Sequence, residues 1–174
     1  MRSIASEKAE SSVGRTPPVE IVRVVRGLRS VAHVPQPPFR LFGPKGTAAK
    51  KGIAYEKKVI RKARKFLPHV VHGPWIKFED SQGEAYCQPD GVGLLPDLAV
   101  VIESKYTENK VGAYKLENLY GPLCEALWGR PVVLILAFHN VAFSQDPSRK
   151  VQSLSPDVVR NLRRNTVYNY HFLG

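Results

Sequence analysis

In the run Ala99-Val100-Val101-Ile102-Glu103-Ser104-Lys105-Tyr106, an acid and a base interrupt a pattern that is otherwise apolar. The period of two in an extended chain puts Glu103 and Lys105 on the same face as Ala99 and Val101, side by side at the end of a buried strand. Burying such charges is costly unless they pair or bind something. A lone Glu-x-Lys is common at solvent-facing strand ends, so the residues upstream decide its meaning. Thirteen positions earlier stands Asp90, within Tyr86-Cys87-Gln88-Pro89-Asp90-Gly91. A hairpin through Leu95-Pro96-Asp97 would bring Asp90 and Glu103 together. Two carboxylates that close repel unless a cation lies between them. Oxygen donors with room for water and phosphate suit Mg²⁺ or Mn²⁺ and not zinc.

A third acid, Glu56, falls on the apolar stripe of a helical segment, three residues after Ile53 and four before Ile60, with Ala63 and Leu67 continuing the stripe. The other faces carry Lys51, Lys57, Lys58, Arg61, Lys62, Arg64 and Lys65. A cationic surface beside a carboxylate helix can hold a phosphate backbone.

The elements that must position these residues are predicted as follows. A helix runs from Ala48 to Leu67 and is stopped by Pro68. Three successive strands cover Pro74 to Glu79, Ala85 to Leu95 and Leu98 to Tyr106, with Ser81-Gln82-Gly83 and Leu95-Pro96-Asp97 as turns. A second helix spans Gly112 to Trp128, ended by Gly129 and Pro131. Pro131 to Phe138 reads as a central, fully buried strand, and Ser155-Pro156-Asp157 opens a short helix through Arg164. The fold class is α/β, with a mixed central sheet flanked by helices in the order αβββαβ. Three regions follow: a Pro-rich basic arm over 1–47, a core over 48–140 and a C-terminal extension over 141–174. Within the arm, only Val19 to Leu28 is expected to form a short strand or helix.

The chain has 174 residues and a formal charge of +11, from 26 Lys and Arg against 15 Asp and Glu. That balance favours a polyanionic partner. Cys87 and Cys124 are isolated in sequence and are expected to be buried thiols, neither a zinc site nor a disulfide. No apolar run reaches the length of a membrane span, and Met1 to Arg15 has no apolar block, so a cytoplasmic setting is expected.

Gly52 to Glu56 on a helix, Pro89-Asp90 on a strand and Glu103-Ser104-Lys105 at the end of the next resemble the PD-(D/E)xK nuclease superfamily. That family includes restriction enzymes, phage and archaeal Holliday junction resolvases, and RecB-like and lambda-type exonucleases. The resemblance covers about residues 48 to 140 and implies a restriction-endonuclease-like core. By position, it implies that Asp90 and Glu103 hold a divalent metal, Mg²⁺ or Mn²⁺, with the Ser104 carbonyl as a further ligand and Glu56 joining directly or through water. Lys105 would orient the attacking water and stabilise the pentacovalent phosphate. The activity implied is metal-dependent hydrolysis of DNA phosphodiester bonds. RecB-like members often carry Gln-xxx-Tyr on the helix after the Glu-x-Lys strand, whereas here Leu116 stands four before Tyr120, beside Lys115. Lys115 and Tyr120 are nonetheless candidates to face DNA, with Lys57, Lys58, Arg61, Lys62 and Lys65. Pro122 is expected to kink or restart this helix.

Small size without a separate recognition domain favours a structure-selective or end-processing enzyme. Cutting junctions symmetrically would require a homodimer, and a phage-encoded enzyme would act in the host cytoplasm. The rival for the metal-binding acid is Pro96-Asp97, which Asp97's place in a turn disfavours. His69, His72, His139 and His171 lack recognisable partners and read as structural or surface residues. Alternative functions are a catalytically inactive nucleic-acid-binding scaffold of the same fold, and a basic ribonucleoprotein factor whose acids form ordinary ion pairs and in which Glu56 and Asp90 lie far apart.

Overall fold

The computed structural model describes residues 23–37, 46–107, 110–140 and 149–171. Its centre is formed by β6 (Ala99–Thr107) and β7 (Val132–Asn140), the two longest apolar stretches of the chain. They pair in parallel from Ala99 opposite Val132 to Thr107 opposite Asn140. A parallel pair needs a crossover. It is supplied by α2 (Lys110–Lys115), a π-helical turn over Leu116–Tyr120 and α3 (Gly121–Trp128). Pro122 lies in the first turn of α3. It has no N–H to donate and its ring crowds the carbonyl one turn back, so the widened turn before it lets the helix restart without a break.

On the other side of β6, the hairpin through Leu95 to Leu98 joins it to β5 (Gly91–Leu94), which pairs in turn with β2 (His69–His72), both antiparallel. Beyond β7 lie β9 (Val167–His171) and the short β8 (Lys150–Val151), both parallel to their neighbours. The result is a mixed six-stranded sheet of order β2-β5-β6-β7-β9-β8.

The sheet separates two apolar layers. Val100 and Ile102 of β6 with Val133 and Ile135 of β7 pack against Tyr55, Val59 and Ala63 of α1 (Thr47–Ala63), joined by Val159 of α4 (Pro156–Arg160). Val101, Leu134 and Leu136 point the other way, onto Leu116, Leu119 and Leu123. The alternation follows from the two-residue period of a strand buried on both faces. A Cβ at Gly91 would collide with the end of Ile60, so glycine there is what lets α1 settle close to β5.

A second sheet, β1-β3-β4, is built from β1 (Ser30–Val34), β3 (Trp75–Asp80) and β4 (Gly83–Cys87), all antiparallel. It adds Ile76 and Phe78 to the layer around α3. Asp80, buried at the end of β3, pairs with Arg23 and accepts backbone hydrogen bonds from Gln82 at 2.7 Å and Arg26 at 3.4 Å. The Arg23 guanidinium holds its carboxyl below the usual range.

Several expectations are corrected. The segment 85–95 is two strands in two sheets, because Pro89 cannot donate to a ladder and the chain turns at Gln88-Pro89-Asp90. The strand before β5 in the central sheet is therefore β2, not Pro74 to Glu79. In the N-terminal arm the strand is Ser30–Val34, whereas residues 23–28 have no regular structure, and the rest of the Val19 to Leu28 expectation lies outside the described residues. The C-terminal extension contributes β9 to the central sheet instead of hanging from it. Cys87 and Cys124 are buried free thiols, pushed up by burial, Cys87 to about 12. Among the described residues no helix is long and apolar enough to cross a membrane.

Candidate active site

Asp90 immediately precedes Gly91, whose partner on β6 is Ile102, so the ladder sets Asp90 across from Glu103 where β5 begins and β6 approaches its end. The aspartate is held there by one residue. Its Oδ2 accepts a hydrogen bond from the Ser104 backbone N–H at 2.6 Å and another from the Ser104 hydroxyl at 2.5 Å. Two donors on one oxygen fix the orientation of the carboxylate.

Glu103 is only 2% exposed. Lys105 Nζ lies 2.6 Å from its Oε1, while its Oε2 is buried with no hydrogen-bond partner among the described residues. Burial, and then the charge of Asp90, push the Glu103 carboxyl up to about 7 against the opposing pull of Lys105 and Lys115. Lys115 is itself buried, at the end of α2. The same helix approaches the site through Gly112. A Cβ there would sit 2.8 Å from Leu136 Cδ1 and 3.4 Å from Lys105 Cγ, so the bare glycine leaves room for the lysine stem.

On the α1 side, Glu56 is half-buried and its Oε1 lies 2.7 Å from His72 Nε2. Its carboxyl is raised above the ordinary value, first by burial and then by Asp90, with His72 opposing. His72 ends β2, opposite Gly91. Asp90 thus lies within electrostatic reach of both other acids, Glu56 on one side of the sheet and Glu103 on the other. Even so, no three His, Cys, Asp or Glu side chains among the described residues come close enough together to form a ready-made metal cluster. Asp90 faces Glu103 across the ladder, and Glu56 is turned onto His72.

The remaining candidates divide clearly. Lys57, Lys58, Arg61 and Lys65 are exposed on α1, and Lys62 is partly covered with its ammonium 5.7 Å from the Phe66 ring. Tyr120 is corrected: at 5% exposure it belongs to the core under α3 and presents no surface to a partner. Lys115 is likewise buried, with its charge felt at Glu103. Asp97 sits in the hairpin turn at the opposite end of β6 and pairs with Arg160 at 3.2 Å. His72 does have a partner, contrary to expectation. Its signal in the sequence is faint: two valines bracketed by histidines, between Pro68 and Gly73. The Ser104 hydroxyl, which could be any residue in a Glu-x-Lys pattern, gives no signal at all.

The arrangement provides two carboxylates with hard oxygen donors, one buried oxygen left open, a lysine on the acid it would serve and a basic helix alongside. Comparison with protein-family models, curated proteins and solved structures finds no match.

Proposed function

We propose that this protein is a metal-dependent deoxyribonuclease of the PD-(D/E)xK type, hydrolysing DNA phosphodiester bonds with Mg²⁺ or Mn²⁺. One observation carries the reading: Asp90 lies across the ladder from Glu103, with Lys105 on the same glutamate. The central strands support it. In β2-β5-β6-β7 the first two pairings are antiparallel and the last is parallel. With α1 preceding them and α3 crossing between β6 and β7, this order supports reading the sheet as a restriction-endonuclease-like core of αβββαβ type, with β3 and β4 as an insertion.

The residues fit a hard divalent cation. Glu103 Oε2 is a buried acceptor with nothing to accept, and a carboxylate pair that raises one member's pKa is relieved by positive charge. Asp90, Glu103 and the Ser104 carbonyl would hold the ion, with Glu56 joining through water. When bound, the ion activates water and neutralises developing charge on the phosphate.

The chain's own groups do the positioning. Ser104 fixes Asp90 by its two hydrogen bonds. Lys105 Nζ, 2.6 Å from Glu103 Oε1, would orient the attacking water and stabilise the pentacovalent phosphate. The exposed cations Lys57, Lys58, Arg61 and Lys65, with Lys62, hold the phosphate backbone alongside. The substrate favoured is branched or end-bearing DNA, with a homodimer where two strands are cut symmetrically and a cytoplasmic setting.

The competing reading is an inactive nucleic-acid-binding scaffold, for which the Lys105–Glu103 contact would be a purely internal pair. The open Oε2 of Glu103 speaks against it. Incubation with linear, single-stranded and four-way-junction DNA in Mg²⁺, Mn²⁺ or EDTA decides between them, beside Asp90→Ala and Lys105→Ala. Cutting that needs the metal and both side chains supports the nuclease. Cutting that persists in EDTA or in Asp90→Ala overturns the mechanism, and binding without cutting favours the scaffold.

A further inference from the structure

Among the described residues the large apolar side chains left exposed are Tyr106, Val111 and Tyr114, all in the stretch that follows Lys105. Tyr106 is 44% exposed, although it is the residue next to the lysine and the strand behind it is wholly buried. Alternation along β6 turns it to the face of Val100 and Ile102, which is the α1 face.

It is held there by other rings. Its neighbour across the parallel ladder is His139, stacked on it with centroids 5.2 Å apart and planes at 29°. Tyr55 of α1, buried, meets Tyr106 edge-on at 6.0 Å and His139 at 5.8 Å. Two neighbours that fix the plane of an exposed ring remove its rotational freedom before any partner arrives, which lowers the entropic cost of stacking on it. A tyrosine left half-exposed for solubility alone has no need of such support. Tyr55 belongs to α1, so the helix that carries the basic side chains also supports the exposed ring.

We infer that Tyr106, on the α1 face next to Lys105 and backed by His139 and Tyr55, is a stacking platform for an unpaired nucleobase at this end of the sheet, so that the substrate presents a single-stranded or frayed segment there. This rests on the nuclease reading and narrows its substrate class. Away from the ends of an intact duplex both faces of every base are covered by neighbours, so there the ring can be used only where a base has left the stack. The charge of the adjacent helix supplies the sequence-independent hold on the backbone, and the ring supplies the preference for an open strand.

The test is binding in EDTA, which does not depend on cleavage. A single-stranded oligonucleotide, the same strand with one abasic position, and the matching duplex are titrated against wild type, Tyr106→Ala and Tyr106→Phe. Melting curves confirm that the variants are folded. Stacking on Tyr106 predicts a loss of roughly tenfold for the single strand in Tyr106→Ala, near-full retention in Tyr106→Phe and a change of about twofold or less on the duplex. The abasic strand, scanned through its positions, should bind wild type more weakly at one position, a penalty that Tyr106→Ala no longer shows. Equal losses on single strand and duplex, no loss at all, or an abasic penalty unchanged in Tyr106→Ala would overturn the inference. The two readings fail separately. A protein that stacks bases but never cuts keeps the platform and loses the nuclease, whereas one that cuts with Tyr106→Ala indistinguishable from wild type keeps the nuclease and loses the platform.

Discussion

Ser104 grips Asp90 through both its backbone N–H and its hydroxyl, at 2.6 and 2.5 Å, so the residue between Glu103 and Lys105 orients the carboxylate across the ladder. Ser104→Ala removes the side-chain donor and keeps the backbone one. We expect a stability loss of about 1 kcal/mol and a fall in cleavage rate of roughly tenfold. Urea midpoints and single-turnover rates measure the two. Unchanged cleavage would mean that the backbone donor alone suffices.

The acids make the metal-free protein sensitive to pH. Glu103 titrates near 4.5 when unfolded and is pushed to about 7 in the fold, mainly by burial, and Glu56 shifts in the same direction. Below the lower value both states hold the proton, so the contribution to stability is fully present. As pH rises the unfolded chain releases its proton first, and the contribution is gone once pH has passed the folded value. In EDTA the melting temperature should therefore decline from about pH 5 to about pH 8. Glu103→Gln should flatten that decline and melt higher than wild type at pH 8, and a parallel decline in the variant would contradict the assignment.

His72 should act on the metal through Glu56. His72→Ala frees the Glu56 carboxylate from a 2.7 Å contact, and we expect the Mg²⁺ concentration for half-maximal cleavage to change by roughly tenfold or more. His72→Gln, which keeps a donor, should restore part of the difference. If the Mg²⁺ dependence of both variants matches wild type, Glu56 has no part in holding the ion.

Gly112→Ala tests the fit of α2 over Lys105. The added methyl would lie 2.8 Å from Leu136 Cδ1 and 3.4 Å from Lys105 Cγ. Overpacking of this kind costs about 1–3 kcal/mol, offset by up to about 1 kcal/mol of better helix propensity. Cleavage should suffer more than stability, because the displaced atoms include the lysine stem. Denaturation midpoints compared with kcat separate the two effects.

The legible parts of this fold are those where one local pattern dominates. The apolar runs of β6 and β7 admit little besides buried strands, and the stripe of α1 sets its inward face. Asp90 and Glu103 could be matched because a single short hairpin joins their strands. Strand β2 is only four residues between Pro68 and Gly73, and β9 interleaves Tyr168 and Asn169 with its buried Val167 and Tyr170, so neither shows a strong period. Nor does any local pattern reveal that Glu56 meets His72 or that Tyr106 stacks on His139. Those contacts are created by the sheet's register. Tyr120 misled because its place in the chain follows the resemblance, while its side chain, at the end of the π-helical turn, is buried in the core.

That turn also separates folding from function. A regular helix rotates about 100° per residue, and the extra residue held in the widened turn resets the angular phase between Lys115, whose charge is felt at Glu103, and Leu123, seated in the core. Removing one residue from within Leu116–Tyr120 should heal the helix into ordinary winding while α3 keeps its berth, swinging α2 and its lysine out of alignment. Such a shortened chain should melt as a cooperative unit and yet cut poorly, which calorimetry beside a cleavage assay would reveal. The turn behaves as a gear tooth between a rigid seat and a reactive edge.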